Sequence, residues 1–203
     1  MTTALRDAAP SIAPPTPIGP VRTVPNAITL VRTVAAVLIG VIAVAEDDLV
    51  LLVTAYAVYW VGDVLDGWSA RRLGQQTRLG AVFDIVGDRA CTAVLCVGLV
   101  AHVGLLPGHV AVGVVFLLSF MVLDGMLSLA FLCWPLMSPN DFHLVDRQVW
   151  RMNWSTPAKA VNTAGPICAL ELGHPWLAVG VASGVVAVKA WSSARVLRRL
   201  GAL

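Results

Sequence analysis

Six long apolar stretches, separated by short polar ones, run along the chain at about 27–45, 49–71, 79–105, 110–132, 158–172 and 176–197. Each reaches or approaches the ~20 residues that a helix rising ~1.5 Å per residue needs to cross a ~30 Å hydrocarbon core. None alternates with period two, so helices are predicted and strands are not. The fifth stretch is the shortest and opens beside Pro157, a residue suited to a first helical turn. The expected fold is all-α, a polytopic membrane protein with a six-transmembrane-helix domain over residues 26–199. Residues 1–25 break the pattern: they hold six of the twelve prolines and no apolar core of a signal peptide. They are expected to form a mobile Pro-rich tail.

The polar connections orient the helices. The first carries Glu46, Asp47 and Asp48, the third only His109, and the fifth Glu171 and His174. Arg71, Arg72 and Arg78 lie in the second, and Arg147, Arg151 and Lys159 in or beside the fourth. Arg6 and Arg22 precede the first span, and Arg195, Arg198 and Arg199 follow the last. The connecting cations thus fall on one side, which the positive-inside rule makes cytoplasmic, with both termini there. An integral protein of the cell (inner) membrane is expected. The fourth connection is the longest. Phe142, Val145, Val149 and Met152 recur in it at helical spacing, and Trp150 and Trp154 suit the headgroup level, so an interfacial helix is expected within 140–154.

Composition agrees. Of 203 residues, 58% are hydrophobic and 13% charged, against about 25% charged in soluble domains. A net charge of +2 without a basic stripe excludes a nucleic-acid partner. Cys91, Cys96, Cys133 and Cys168 form no CxxC pair and read as small apolar residues. The histidines lack zinc-site spacing.

Acidic residues inside the apolar stretches change the picture. Asp63 and Asp66 stand at i,i+3 on the second predicted helix, and Asp84 and Asp88 at i,i+4 on the third. Either spacing puts a pair on one helix face. Counting from Arg71 and Arg78 at ~1.5 Å per residue, the four lie ~7–15 Å below the cytoplasmic boundary. Antiparallel neighbours joined by a short link would gather them into one cluster. Each intramembrane Asp costs ~2.5–3.5 kcal/mol, and mutual repulsion adds to that. Two divalent ions with hard oxygen ligands, Mg²⁺ or Mn²⁺, would neutralise four carboxylates. Such a pair stabilises a phosphoryl group between attacking and leaving oxygens. The alternative is structural, with acids protonated or paired with Arg71, Arg72 or Arg89. Gly67 and Gly80 permit close approach of a helix end or diphosphate, Ala70 leaves room, and Arg71 offers a fork suited to phosphate.

The string D-x2-D-G-x2-A-R-x8-G-x3-D-x3-D, formed by Asp63, Asp66, Gly67, Ala70, Arg71, Gly80, Asp84 and Asp88, resembles the signature of the CDP-alcohol phosphotransferases, six-helix enzymes of phospholipid synthesis. At average residue usage a chance match at one start has a probability on the order of 10⁻¹⁰. Pro25-Asn26-x2-Thr29-x2-Arg32 is similar to the first-helix opening of the phosphatidylglycerophosphate synthase branch. The resemblance implies that Asp63, Asp66 and Asp84 ligate the metals and that Asp88 ligates the second and acts as general base. It implies a CDP site of Asp66, Gly67, Ala70, Arg71 and Gly80 with Asn26 and Thr29. The substrate would be CDP-diacylglycerol, the product a phosphatidyl-alcohol plus CMP, the surroundings membrane lipids, and the assembly a homodimer.

Arg32, Arg89 and Lys159 are candidates for the phosphate of a polar acceptor alcohol. Glycerol 3-phosphate is one such acceptor, and inositol phosphate or another alcohol is the alternative. Asp124 either faces the active cavity or makes a polar contact between helices, and Lys189 either snorkels inward or pairs with an acid. Two other readings compete. A membrane prenyltransferase would need a second Asp-rich cluster, and a cation carrier would show repeated halves or interrupted helices in matching positions. Neither pattern is visible in the sequence.

Overall fold

In the computed structural model, which describes residues 18–202, every regular element among those residues is helical. Residues 1–17, most of the expected tail, lie outside the described residues. Helix α1 (Val24–Glu46) opens two residues before position 26. Thr23 caps it, accepting from the Asn26 N–H at 3.3 Å, and Pro25 sits in the first turn, where its missing N–H leaves no bond unmade. Residues 18–23, counted with the tail in the sequence reading, are held against the rest of the chain. The Leu79 N–H donates to the Ile18 carbonyl, and the Val24 N–H to the Gln75 side chain, each at 3.0 Å.

Helix α2 (Leu49–Leu73) is capped by Asp48, which accepts from the Val50 and Leu51 N–H groups, and it ends on Gly74 at φ 61°. Helix α3 (Arg78–Val103) is capped by Thr77, which accepts from the Gly80 N–H at 2.8 Å. Only Asp47 and Asp48 separate α1 from α2, and only residues 74–77 separate α2 from α3. Connections this short make each consecutive pair antiparallel. Helix α1 packs along both others. Glycines permit the approach: a Cβ on Gly87 would stand 2.6 Å from the Thr33 hydroxyl, and one on Gly62 would fall on the Arg32 side chain.

Helix α4 (Pro107–Leu118) continues through a π-helical segment (Ser119–Asp124), α5 (Gly125–Leu129) and a 3₁₀ turn (Ala130–Cys133). A 3₁₀ helix (Pro139–Leu144), α6 (Arg147–Asn153), α7 (Thr156–Glu171) and α8 (Pro175–Arg199) follow. Four of these rods are long and apolar enough to cross a membrane: Val24–Glu46, Leu49–Leu73, Pro107–Cys133 and Pro175–Arg199. The chain is an integral membrane protein. Helix α3 has 26 residues but carries Arg78, Asp84, Asp88 and Arg89, and α7 has 16 with Pro166 inside. The expectation of six spans therefore goes beyond the four that length and composition mark.

The fourth connection folds inward. Phe142 and Val149 are fully buried, in a core with Ile85, Leu127, Phe131, Trp154 and Val196. Trp154, expected at the headgroups, is 9% exposed. The Phe142 ring lies 5.4 Å from that of Trp134 and 5.1 Å from that of Trp154, so tertiary aromatic packing covers this part of the apolar face that helical spacing marked.

Asp146 secures this layer. One carboxylate oxygen caps α6, accepting from the Gln148 and Val149 N–H groups, and the other accepts from Arg195 and Arg199 Nε of α8 at 2.7 Å each. Burial raises the Asp146 pKa, but the bonds from Arg195, the Val149 N–H and Arg199 outweigh it and hold the group below the ordinary 3.8. A carboxylate depressed in the folded state stabilises above its unfolded pKa and loses that contribution as pH falls through the folded value. Asp146→Asn is therefore expected to cost about 1.5–3 kcal/mol near neutral pH, measured by thermal unfolding in detergent. The gap from wild type should close below pH ~3.8.

Candidate active site

The two acidic pairs meet because α2 and α3 run antiparallel from a four-residue link, and α1 closes over them. At the meeting point stands Arg32 of α1, 3% exposed. Its Nε donates to Asp66 Oδ2 at 2.8 Å. Its Nη2 lies 2.5 Å from Asp84 Oδ1, 3.2 Å from Asp88 Oδ1 and 3.3 Å from Asp63 Oδ1. One guanidinium thus touches all four carboxylates, and the Tyr59 ring stands 5.3 Å from its carbon. Tyr59 was not singled out in the sequence. Its place four residues before Asp63, on the same face of α2, was the available signal.

The acids differ in setting. Asp66 is buried, whereas the Asp63 and Asp84 side chains are about two-fifths open and that of Asp88 about one-quarter. The cluster has an open side and a closed one, and α1 forms the closed one. Oxygens of Asp63, Asp66 and Asp84 lie within 4.8 Å of one another. Four carboxylates and one guanidinium carry a formal charge of −3. Arg32 Nη1 is buried and has no hydrogen-bond partner among the described residues. Hard oxygen donors, close convergence and uncompensated negative charge fit a divalent cation.

Other predicted residues surround this centre. The Arg71 guanidinium lies over Gly67, its Nη1 3.3 Å from where a Cβ on that glycine would stand. Gly80 is enclosed: a Cβ there would meet Asn26 Oδ1 at 2.8 Å and Thr77 Oγ1 at 2.9 Å. Asn26 is buried and donates its side-chain amide to the Val21 carbonyl at 2.8 Å, which locks the approach to α1. Ala70 is half-buried one turn beyond Asp66. Thr29 is buried with its hydroxyl 2.7 Å from Asp66 Oδ2.

The three acceptor candidates are not brought together. Arg32 is among the acids. Arg89 turns away to α4–α5, donating to Asp124 Oδ2 at 2.6 Å and to the Ser128 hydroxyl at 3.2 Å, with its carbon 4.1 Å from the Phe120 ring centre. Lys159 is exposed at the start of α7 and donates to Asn140 at 3.3 Å. The other oxygen of Asp124 accepts from buried Lys189 of α8. Asp124 therefore joins three segments through Arg89 and Lys189.

Comparison with known proteins agrees with this arrangement. The family model for CDP-alcohol phosphatidyltransferase matches residues 22–191. A CDP-diacylglycerol–inositol 3-phosphatidyltransferase of Candida albicans is 37% identical over 74 residues, covering 36% of this chain and 31% of that protein. The match thus spans less than a third of the relative's length. No solved structure matches the chain. With its acidic pairs gathered on adjoining helices and the family model covering most of its length, the chain belongs to the CDP-alcohol phosphatidyltransferase family.

Proposed function

We propose that the chain transfers the phosphatidyl group of CDP-diacylglycerol to the hydroxyl of a polar, phosphorylated alcohol, releasing CMP, on the cytoplasmic side of the cell membrane. The observation that carries this reading is the convergence of Asp63, Asp66, Asp84 and Asp88 from two antiparallel helices. A cytoplasmic site rests on the one-sided Lys and Arg residues of the connections, which also favour six spans with both termini inside.

Asp63, Asp66, Asp84 and Asp88 would hold two Mg²⁺ or Mn²⁺ ions. When bound, the ions offset charge on the diphosphate and on the departing CMP oxygen. Arg71, exposed beside Gly67, would pair with a phosphate oxygen of the nucleotide, and Gly67, Ala70 and Gly80 would keep bulk away from it. Asp88 is the proton acceptor. Its only hydrogen bond among the described residues is from Arg32 to Oδ1, so Oδ2 is left for the acceptor hydroxyl. The hydroxyl oxygen bonds to the β-phosphorus, the bond from that phosphorus to the bridging oxygen breaks, and CMP leaves with that oxygen. The hydroxyl proton passes to Asp88.

Glycerol 3-phosphate is the first acceptor to test, on the resemblance of the α1 opening. The inositol in the name of the Candida albicans relative supports an inositol-type acceptor as the second reading.

Purified protein with CDP-diacylglycerol, Mn²⁺ and glycerol 3-phosphate, inositol phosphate, inositol, serine or phosphatidylglycerol is expected to yield CMP and one new phospholipid, read by mass spectrometry. Failure of the whole panel would overturn the reading. Excess EDTA should stop CMP release, and turnover that survives it would remove the ions from the mechanism. Asp88→Asn should lower CMP release about 10²–10⁴-fold while nucleotide binding persists, and full turnover would take Asp88 out of the base role.

A further inference from the structure

Resting on the metal reading above, we infer that Thr29 is a positioning residue: it holds Asp66 so that only Oδ1 is left to a divalent cation. Thr29 and Arg32 stand at i,i+3 on one face of α1, 4% and 3% exposed. In a helix a threonine hydroxyl ordinarily bonds back to the carbonyl four residues earlier. Here the Pro25 carbonyl is 3.1 Å away, but Asp66 Oδ2 is 2.7 Å away. A hydroxyl has one proton, and the shorter, charge-assisted bond takes it.

The same Oδ2 accepts from Arg32 Nε at 2.8 Å. Two donors on one carboxylate oxygen occupy both of its in-plane lone pairs, so Oδ2 has no further capacity for a ligand. Asp66 Oδ1 accepts no hydrogen bond among the described residues. Burial makes the arrangement hard to exchange, because Asp66 is 5% exposed and water cannot readily replace either donor. Asp63, Asp84 and Asp88 are held differently, each meeting Arg32 alone among the described residues. Asp66 is thus the one acid of the four whose orientation α1 sets twice over.

This gives Thr29 a different partner from the nucleotide expected of it in the sequence. Its proton is committed to Asp66, and its side chain lies on the closed side of the cluster. Groups that orient a metal ligand typically change metal affinity about 10–100-fold when removed. Valine keeps the shape of threonine and removes only the donor.

The test titrates full-length protein in lipid nanodiscs with Mn²⁺ alone, following free Mn²⁺ by electron paramagnetic resonance, for wild type, Thr29→Val, Thr29→Ala and Thr29→Ser. Thr29→Val is expected to weaken Mn²⁺ binding at least about tenfold, with Thr29→Ser within about twofold of wild type. In turnover assays the Mn²⁺ concentration for half-maximal CMP release should rise for Thr29→Val, while the KM for CDP-diacylglycerol at saturating Mn²⁺ stays put. Thr29→Ala reports the same loss should the valine protein not fold. Unchanged Mn²⁺ binding with a raised KM for CDP-diacylglycerol would overturn the inference and return Thr29 to the nucleotide. Wild-type protein that binds no Mn²⁺ would instead overturn the metal reading beneath it.

Discussion

Four carboxylates inside an apolar bundle repel one another, and each forgoes hydration at a cost of ~2.5–3.5 kcal/mol, so α1, α2 and α3 can close only with positive charge among them. Arg32 supplies one such charge from within the chain. Its two nitrogens reach acids on both neighbouring helices, and Gly62 removes the side chain that would occupy its path. The single guanidinium offsets one charge of four. That residual negative charge, open on one side, suits the cluster to a divalent cation as well as to a helix contact.

A second polar centre balances the first across α3. Residues 88 and 89 are adjacent in sequence but point about 100° apart on a helix, so Asp88 turns to Arg32 while Arg89 turns to Asp124. Lys189 adds α8 to the same carboxylate. The rotation of α3 is thereby held from both faces, which keeps Asp84 and Asp88 aimed at Asp63 and Asp66. Asp124 closes the π-helical segment, where the extra residue per turn shifts which side chains face α3. Farther toward the chain's end, Asp146 ties α6 to α8 in the same manner, with two arginines on one oxygen.

Much of this was legible without coordinates. Apolar run length told helix from strand, and i,i+3 and i,i+4 spacing put each pair of acids on one face. The short link from Gly74 to Thr77 made the two faces neighbours. The apolar face around Phe142 and Val149 is covered by other parts of the chain, which spacing does not show, because periodicity reports that a face is apolar and not what covers it. The same ambiguity attends α3 and α7, where charged or helix-breaking residues weaken a composition test although the rods themselves form.

What the amino-acid order determined by itself is the set of local quantities: helix lengths, caps, turn lengths, and the angular separation of side chains on one helix. These follow from 3.6 residues per turn and need no partner. The tertiary structure alone decided how the cations are shared out. Arg32, Arg89 and Lys159 are all cations that the sequence alone could not tell apart in role, yet one lies among four acids, one pairs with Asp124 and one stands exposed beside Asn140. Charge pairing acts between elements far apart in sequence, over distances that only packing sets. The hydrogen bond from Thr29 to Asp66 likewise depends on the approach of α1 to α2.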